Sequence, residues 1–335
     1  MSFQGEQHPG VAPVAPQTQG FRLNHTMLRV KDLDKSLDFY CRLFPTSRPT
    51  TWAGFTAAAV PNNILILFER DETVDATQQS ALWHFGWHVP DSRRTTEEFL
   101  KRDDVVSMPL YTGIGDGHVP ICSDTWYKTG EDLGVTKARI AELQAQNAPI
   151  PGGPGFAYFQ GPDGALFEIA GDYGEEERFN HVHMWQEDPF CAQLWYRKHF
   201  GFQPRAKFAN IPVGEDDCRV PRTPDPSFPA LDPAGMYRYP AGGVAVGDVD
   251  LTWYPNQGSD SPPSSLGRLL DHIAFSVTDL DAWSDRLKSG GVTFLKDAYP
   301  IGDKPSPSTS TTTHIKANRS VGQLIEGKIT KILIE

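Results

Sequence analysis

The chain has 335 residues, of which 39% are hydrophobic and 22% charged, enough for two ordinary domains with a sizeable core. Its net charge is -11 and it has no basic run, which argues against nucleic acid and against anionic membrane surfaces as partners. No apolar stretch approaches a membrane span, and the four cysteines, Cys41, Cys122, Cys191 and Cys218, form no CxxC pair. A reduced, cytoplasmic protein with inert cysteines is the expectation.

Residues 1–20 are polar and rich in Pro and Gly, with no cationic start followed by an apolar segment, and read as a disordered tail rather than a secretory signal. The run HTMLRV from His25 reads as a strand and ends at Asp32, an N-cap for a helix whose Leu33, Leu37, Tyr40 and Phe44 share one face. ILILFE closes this first unit at Glu69. A second unit opens with HFGWHV at His84, passes Asp91 into the polar helix SRRTTEEFLKR, and carries an expansion over 103–134. It returns through FAYFQ, a PDG turn and ALFEIA, which carries Glu168; Asp-Gly is a tight-turn signal.

The boundary falls near GDYGEEER, 171–178. A third unit starts with HVHMW at His181; Pro189 after Asp188 suits a first helical turn, and Ala192, Trp195, Tyr196 and Phe200 line one face. After an expansion over 206–240 it closes with GVAVGDVDLTWY at Tyr254. The fourth unit has HIAFSV at His272, a helix with Leu280, Trp283 and Leu287, a Ser/Thr/Pro-rich stretch over 303–322 that reads as a mobile loop, then QLIEG and KILIE ending at Glu335.

One pattern therefore recurs four times: a histidine, an aspartate seven residues on, and a large apolar residue fifteen residues on. The copies are His25/Asp32/Tyr40, His84/Asp91/Phe99, His181/Asp188/Tyr196 and His272/Asp279/Leu287. Such a repeat sets the architecture: an α+β fold of four βαβββ units pairing into two cupped, mixed β-sheet modules, 21–173 and 177–335. Asn24-His25 matches Asn180-His181, so the two halves are homologous. The four aspartates are helix caps. The four histidines occupy one equivalent strand position, and carboxylates aimed into apolar surroundings are costly unless paired or metal-bound.

If consecutive units form each cup, the first supplies His25, Glu69, His84 and Glu168 as metal ligands. The second supplies His181, His272 and Glu335, with Tyr254 in the fourth place. Two histidines with one or two carboxylates and open positions make a catalytic type of metal site. The first half has the fuller set, and Glu335, a terminal residue, is expected to fray. His88 lies roughly 13 Å along the strand from His84 and reads as substrate-pocket lining, as does His183 beside His181. The tryptophans at 185, 195, 253 and 283 read as core.

LNHTMLRVKDLDKSLDFYCRLF resembles the opening of glyoxalase I, and FAYFQGPDGALFEIA resembles its closing hairpin. The chain from residue 21 to about 300 is similar to the vicinal oxygen chelate superfamily, which includes glyoxalase I, extradiol dioxygenases and bleomycin or fosfomycin resistance proteins. The resemblance implies a divalent metal, Zn, Ni or Fe(II). It implies a small-molecule substrate, worked on by a glyoxalase-type lyase or isomerase through an enediolate, with Glu168 moving a proton. It also places Arg29 where glyoxalase I contacts the glutathione carboxylate.

Two departures keep other readings open. Glu69 is followed by Arg70, Asp71 and Glu72 instead of glyoxalase I's Thr-His-Asn-Trp-Gly. Tyr158, ten residues before Glu168, matches the catalytic tyrosine of extradiol dioxygenases, although PIPGGPGFAY lacks the histidine that precedes it there. An Fe(II) dioxygenase of a phenolic compound, and a binding module without catalysis, are the alternatives; the protein is expected as a monomer or homodimer.

Overall fold

The computed structural model describes residues 22–75, 80–107, 109–111, 118–120, 142, 145–148, 156–171, 176–205, 214–216, 218–219, 241–255, 263–277, 279–294, 323–326 and 331–334. The expectations for the tail over 1–20, for the stretch over 303–322 and for Glu335 lie outside these residues, as does most of both expansions. Unit one runs β1 (Arg22–Val30), α1 (Leu33–Leu43), β2 (Arg48–Trp52), β3 (Phe55–Ala59), β4 (Leu65–Arg70). Unit two runs β5 (Leu82–His88), α2 (Ser92–Phe99), β6 (Val106–Ser107), then a separate hairpin of β7 (Pro109–Tyr111) and β8 (His118–Pro120), then β9 (Phe156–Gln160) and β10 (Leu166–Ala170). Unit three runs β11 (Arg178–Gln186), α3 (Pro189–Phe200), β12 (Gln203–Pro204), β13 (Gly242–Val246), β14 (Val249–Pro255). Unit four runs β15 (Leu270–Ser276), α4 (Leu280–Ser289), β16 (Thr293–Phe294), β17 (Gln323–Glu326), β18 (Lys331–Ile334).

The helices begin where the repeated aspartates stand. Asp32, Asp91 and Asp279 accept from the backbone N–H three residues on, at 2.9 to 3.0 Å, which satisfies one of the orphan donors of each first turn. Asp188 holds the N-cap position of α3 without a side-chain cap, and Pro189 takes the first turn instead. In the PDG turn Asp163 has φ 57°, and its carboxylate accepts from Lys31 N at 2.9 Å, which ties the β9–β10 hairpin to the start of α1.

The units pair differently from the sequence expectation. One eight-stranded sheet has the order β16-β17-β18-β15-β1-β4-β3-β2, so it joins unit four to unit one. The other has the order β12-β13-β14-β11-β5-β10-β9-β6 and joins unit three to unit two. The halves 21–173 and 177–335 therefore each contribute one unit to each sheet. The pairing is made by first strands: β1 runs antiparallel to β15, and β5 antiparallel to β11. Within each unit the last strand lies parallel to the first, as β4 does beside β1 and β10 beside β5.

Alternation of side chains gives each sheet two faces. The helix-side faces of both sheets share one core, in which Phe44 stacks on Trp87 at 3.9 Å and Tyr40 lies between Phe68 of one sheet and Phe85 of the other. On the far side, Phe200 of α3 meets Phe275 and Trp283 of unit four. Trp185 and Trp253 are buried and Trp195 is partly buried against this core. The cysteines depart from expectation: Cys191 of α3 is disulfide-bonded to Cys218, 27 residues away, while Cys41 is free. This pair is at odds with a reduced compartment. Among the described residues no helix is long and apolar enough to cross a membrane.

The topology makes a prediction for a fragment of residues 21–173. Alone, its β1 and β5 each lose their antiparallel neighbour, leaving two open edges. Two copies can restore both by exchanging units, so light scattering after gel filtration should report a dimer. A stable monomeric fragment would contradict the pairing.

Candidate metal centre

In the sheet of units two and three, β5 and β11 meet so that His84 lies opposite His183 and Gly86 opposite His181. Strand β10 places Glu168 beside Gly86. Ligand atoms of His84, Glu168, His181 and His183 all lie within 4.8 Å of one another, and all four residues are buried. Glu168 Oε2 is 3.1 Å from His84 Nε2, 3.5 Å from His181 Nε2 and 3.7 Å from His183 Nδ1. A carboxylate and three imidazoles gathered in a dry interior make a donor set suited to a divalent metal.

Two further observations fit that group. His181 Nε2 is buried and has no hydrogen-bond partner; a nitrogen so placed is costly unless something occupies it. Asn180 Oδ1 accepts from His181 Nδ1 at 2.8 Å, which directs the free lone pair of Nε2 toward Glu168. Tyr158 stands across from Glu168 on β9, its ring 5.0 Å from that of His84 and edge-on to it. Trp83 and Trp185 stack at 4.3 Å, and Tyr254 packs against both Trp83 and His183, so aromatic side chains wall the cluster.

The other cup departs from this arrangement. His25 and His272 bring their Nε2 atoms to 3.2 Å, with His25 Nδ1 bonded to Asn24 Oδ1 and His272 Nδ1 to Asp271 Oδ1. Burial, and then the neighbouring His272, hold the His25 imidazole well below the ordinary histidine range. Register shows why, among the described residues, no last-strand carboxylate faces the two Nε2 atoms. Glu168 lies beside the residue two after His84. The matching place is Leu67 beside Met27 in unit one, Thr252 beside His183 in unit three and Leu333 beside Ala274 in unit four. Met27, Phe55, Ala57, Leu67 and Ala274 pack together as a small apolar cluster of their own. Among the described residues, two imidazoles facing an apolar cluster do not make a His/carboxylate site.

The expected ligand sets are corrected accordingly. His25 and Glu69 do not join His84 and Glu168, because unit one belongs to the other sheet. His181 and His272 are likewise divided between sheets. Glu69 sits two residues beyond the ligand place, beside Arg29. Arg29 is not poised for a substrate anion: its guanidinium pairs with Glu69 at 3.0 Å, Asp71 at 3.0 Å and Asp271 at 3.3 Å. His88 is buried on β5 beyond Gly86, beside Ala170 of β10. His183, read from sequence as pocket lining, is the donor that sequence reasoning misplaced; its two-residue spacing from His181 on one strand face was the available signal.

Gly86 is where this site is most sensitive to a single atom. A Cβ there would lie 2.1 Å from Cε1 and Nε2 of His181, so the ring must leave. Gly86→Ala should weaken metal binding by about 10- to 100-fold, the range for disturbed ligand support. Titration with a chromophoric chelator measures it; unchanged affinity would contradict this placement of His181.

Comparisons with known proteins follow the same lines. Lactoylglutathione lyase of Pseudomonas putida is 64% identical over 36 residues, which is 10% of this chain and 21% of that protein. The lactoylglutathione lyase of Pseudomonas aeruginosa is 36% identical over 88 residues, 26% of this chain and 49% of that protein. The chain thus matches about half or less of the length of these curated relatives. Glyoxalase I from Zea mays superposes with a TM-score of 0.51 over 94% of this chain and 92% of that one, at 14% identity, a likeness of fold. The family model described as Glyoxalase/Bleomycin resistance protein/Dioxygenase superfamily matches residues 22–169 and 178–304, and the chain belongs to that superfamily.

Proposed function

We propose that the chain is a metal-dependent enzyme of the glyoxalase type, acting in the cup of units two and three on a small substrate with adjacent oxygens. The observation that carries this is the buried cluster of His84, Glu168, His181 and His183. These four residues would hold a divalent ion, Zn, Ni or Fe(II), which when bound supplies a Lewis acid for the substrate oxygens.

The chain's own residues do the rest. Glu168 is the carboxylate of the cluster and takes a proton from the carbon beside the carbonyl, then returns it to the neighbouring carbon. Burial strengthens its electrostatic coupling to the imidazoles around it. Asn180 keeps His181 in one tautomer. Trp83, Trp185 and Tyr254 limit water, so the transferred proton is not lost to solvent.

A second reading is an iron oxygenase of a phenolic compound, favoured by Tyr158 against His84 and by a donor set richer in histidine than in carboxylate. The two differ in what they consume. Turnover of the methylglyoxal–glutathione hemithioacetal without oxygen uptake marks the lyase; oxygen uptake with catechol marks the oxygenase. A protein that retains metal but turns over neither is a binding module.

Glu168→Ala should lower turnover roughly 10²- to 10⁴-fold, the range for loss of a positioned proton carrier. His25→Ala, in the other cup, should leave turnover within about threefold, given an additive effect at a distant site. Steady-state rates and metal content of the two variants decide the matter. Full activity in Glu168→Ala would sink the assignment of the chemistry to this cup.

A further inference from the structure

In each unit the residue two after the repeated histidine stands beside one residue of the last strand. The pairs are Met27 beside Leu67, Gly86 beside Glu168, His183 beside Thr252 and Ala274 beside Leu333. Units two and three, which share a sheet, fill these two places in opposite ways. Unit two has its donor on the last strand and no side chain on the first. Unit three has its donor on the first strand, opposite a threonine. Thr252 is fully buried, and its hydroxyl is engaged elsewhere: Oγ1 accepts from Arg205 Nη1 at 2.8 Å.

The two arrangements fit each other. Gly86 lies across the seam from His181, and a Cβ there would meet the His181 ring at 2.1 Å. The space that glycine leaves lets the rings of His181 and His183 lie together, 4.1 Å apart and 19° from parallel. Each then brings a nitrogen to the same carboxylate oxygen. Glu168 Oε2 is 3.5 Å from His181 Nε2 and 3.7 Å from His183 Nδ1. The exchange alters charge as well as donor type, because a ligating imidazole is neutral and a carboxylate is not. Three nitrogens and one oxygen donor result, with Glu168 the only anion of the cluster.

We propose that His183 is a metal ligand standing in for the last-strand carboxylate that unit three lacks, and that this exchange makes the centre select zinc or nickel over manganese and magnesium. The inference rests on the metal reading above. Loss of one negative charge weakens every divalent ion in a dry interior. A nitrogen donor restores affinity for zinc and nickel, which take imidazole well, and restores little for manganese and magnesium, which favour oxygen. The choice of ion is thus set by the pair His183 and Thr252, while Glu168, His84 and His181 hold any ion that enters.

The test measures metal affinity in full-length protein and needs no turnover. Zinc and manganese are each titrated against a competing chelator. His183→Phe keeps a ring on His181 and removes the nitrogen. It should bind zinc about tenfold or more weaker and manganese within about threefold of wild type, since a lost ligand costs at least what a lost supporting group does. His183→Gly combined with Thr252→Glu gives unit three the pair found in unit two, and should bind manganese more tightly than wild type. In wild type itself, zinc should shift the ¹⁵N signal of His183 Nδ1, a readout that depends on no variant folding. An unmoved signal at full zinc content overturns the proposal, as does a His183→Phe variant whose zinc-to-manganese ratio equals that of wild type; His183 is then a packing residue and the metal reading stands. If wild type takes up neither ion, the metal reading fails and this proposal falls with it.

Discussion

The antiparallel seam between first strands decides everything downstream of it. Because β5 runs beside β11, His84 faces His183 and Gly86 faces His181, and the two units deliver their donors to one point. Because β1 runs beside β15, His25 and His272 are brought to each other and kept from the rest. A shift of one residue in either seam would turn these side chains to the helix face. The shared aromatic core, with Phe44 on Trp87, holds the helix faces together and so supports the register.

The same unit, repeated four times, has produced two unlike cups. Each has a paired histidine whose Nδ1 is held by the preceding asparagine, His25 by Asn24 and His181 by Asn180. What differs is the position two residues on and its neighbour on the last strand. Glycine beside glutamate, and histidine beside threonine, leave room and donors around Glu168. Methionine beside leucine closes the matching space in unit one with apolar contact. A polar donor there would be buried without partners, whereas an apolar one adds packing. The two cups thus show a metal-type interior and a packed interior built on one backbone.

The repeat itself, the four βαβββ units and three of the four helix caps were legible from periodicity and spacing alone. Strand period and N-cap chemistry are local, and local rules are what a sequence displays. Which units pair is not local. Nothing in the spacing of His25 or His84 says which strand lies alongside, and the assumption that neighbours in sequence are neighbours in space failed for β1. Glu69 was misread for a related reason: it ends an apolar strand as a ligand would, but register sets it beside Arg29, two residues past the ligand place. Glu168 was legible as a carboxylate within an apolar strand and Tyr158 by its ten-residue spacing from it; the structure sets the two across from each other on one hairpin. The Cys191–Cys218 pair was invisible because its second member lies within the expansion over 206–240, where no strand or helix period fixes its place.

The central claim is that the donors of units two and three, and not those of units one and four, form the metal centre. Anomalous diffraction from crystals of the zinc-loaded protein tests it most directly, since it locates the ion without reference to any activity. The account predicts one peak in each chain, among His84, Glu168, His181 and His183. A peak between His25 and His272, or none in either cup, would contradict it.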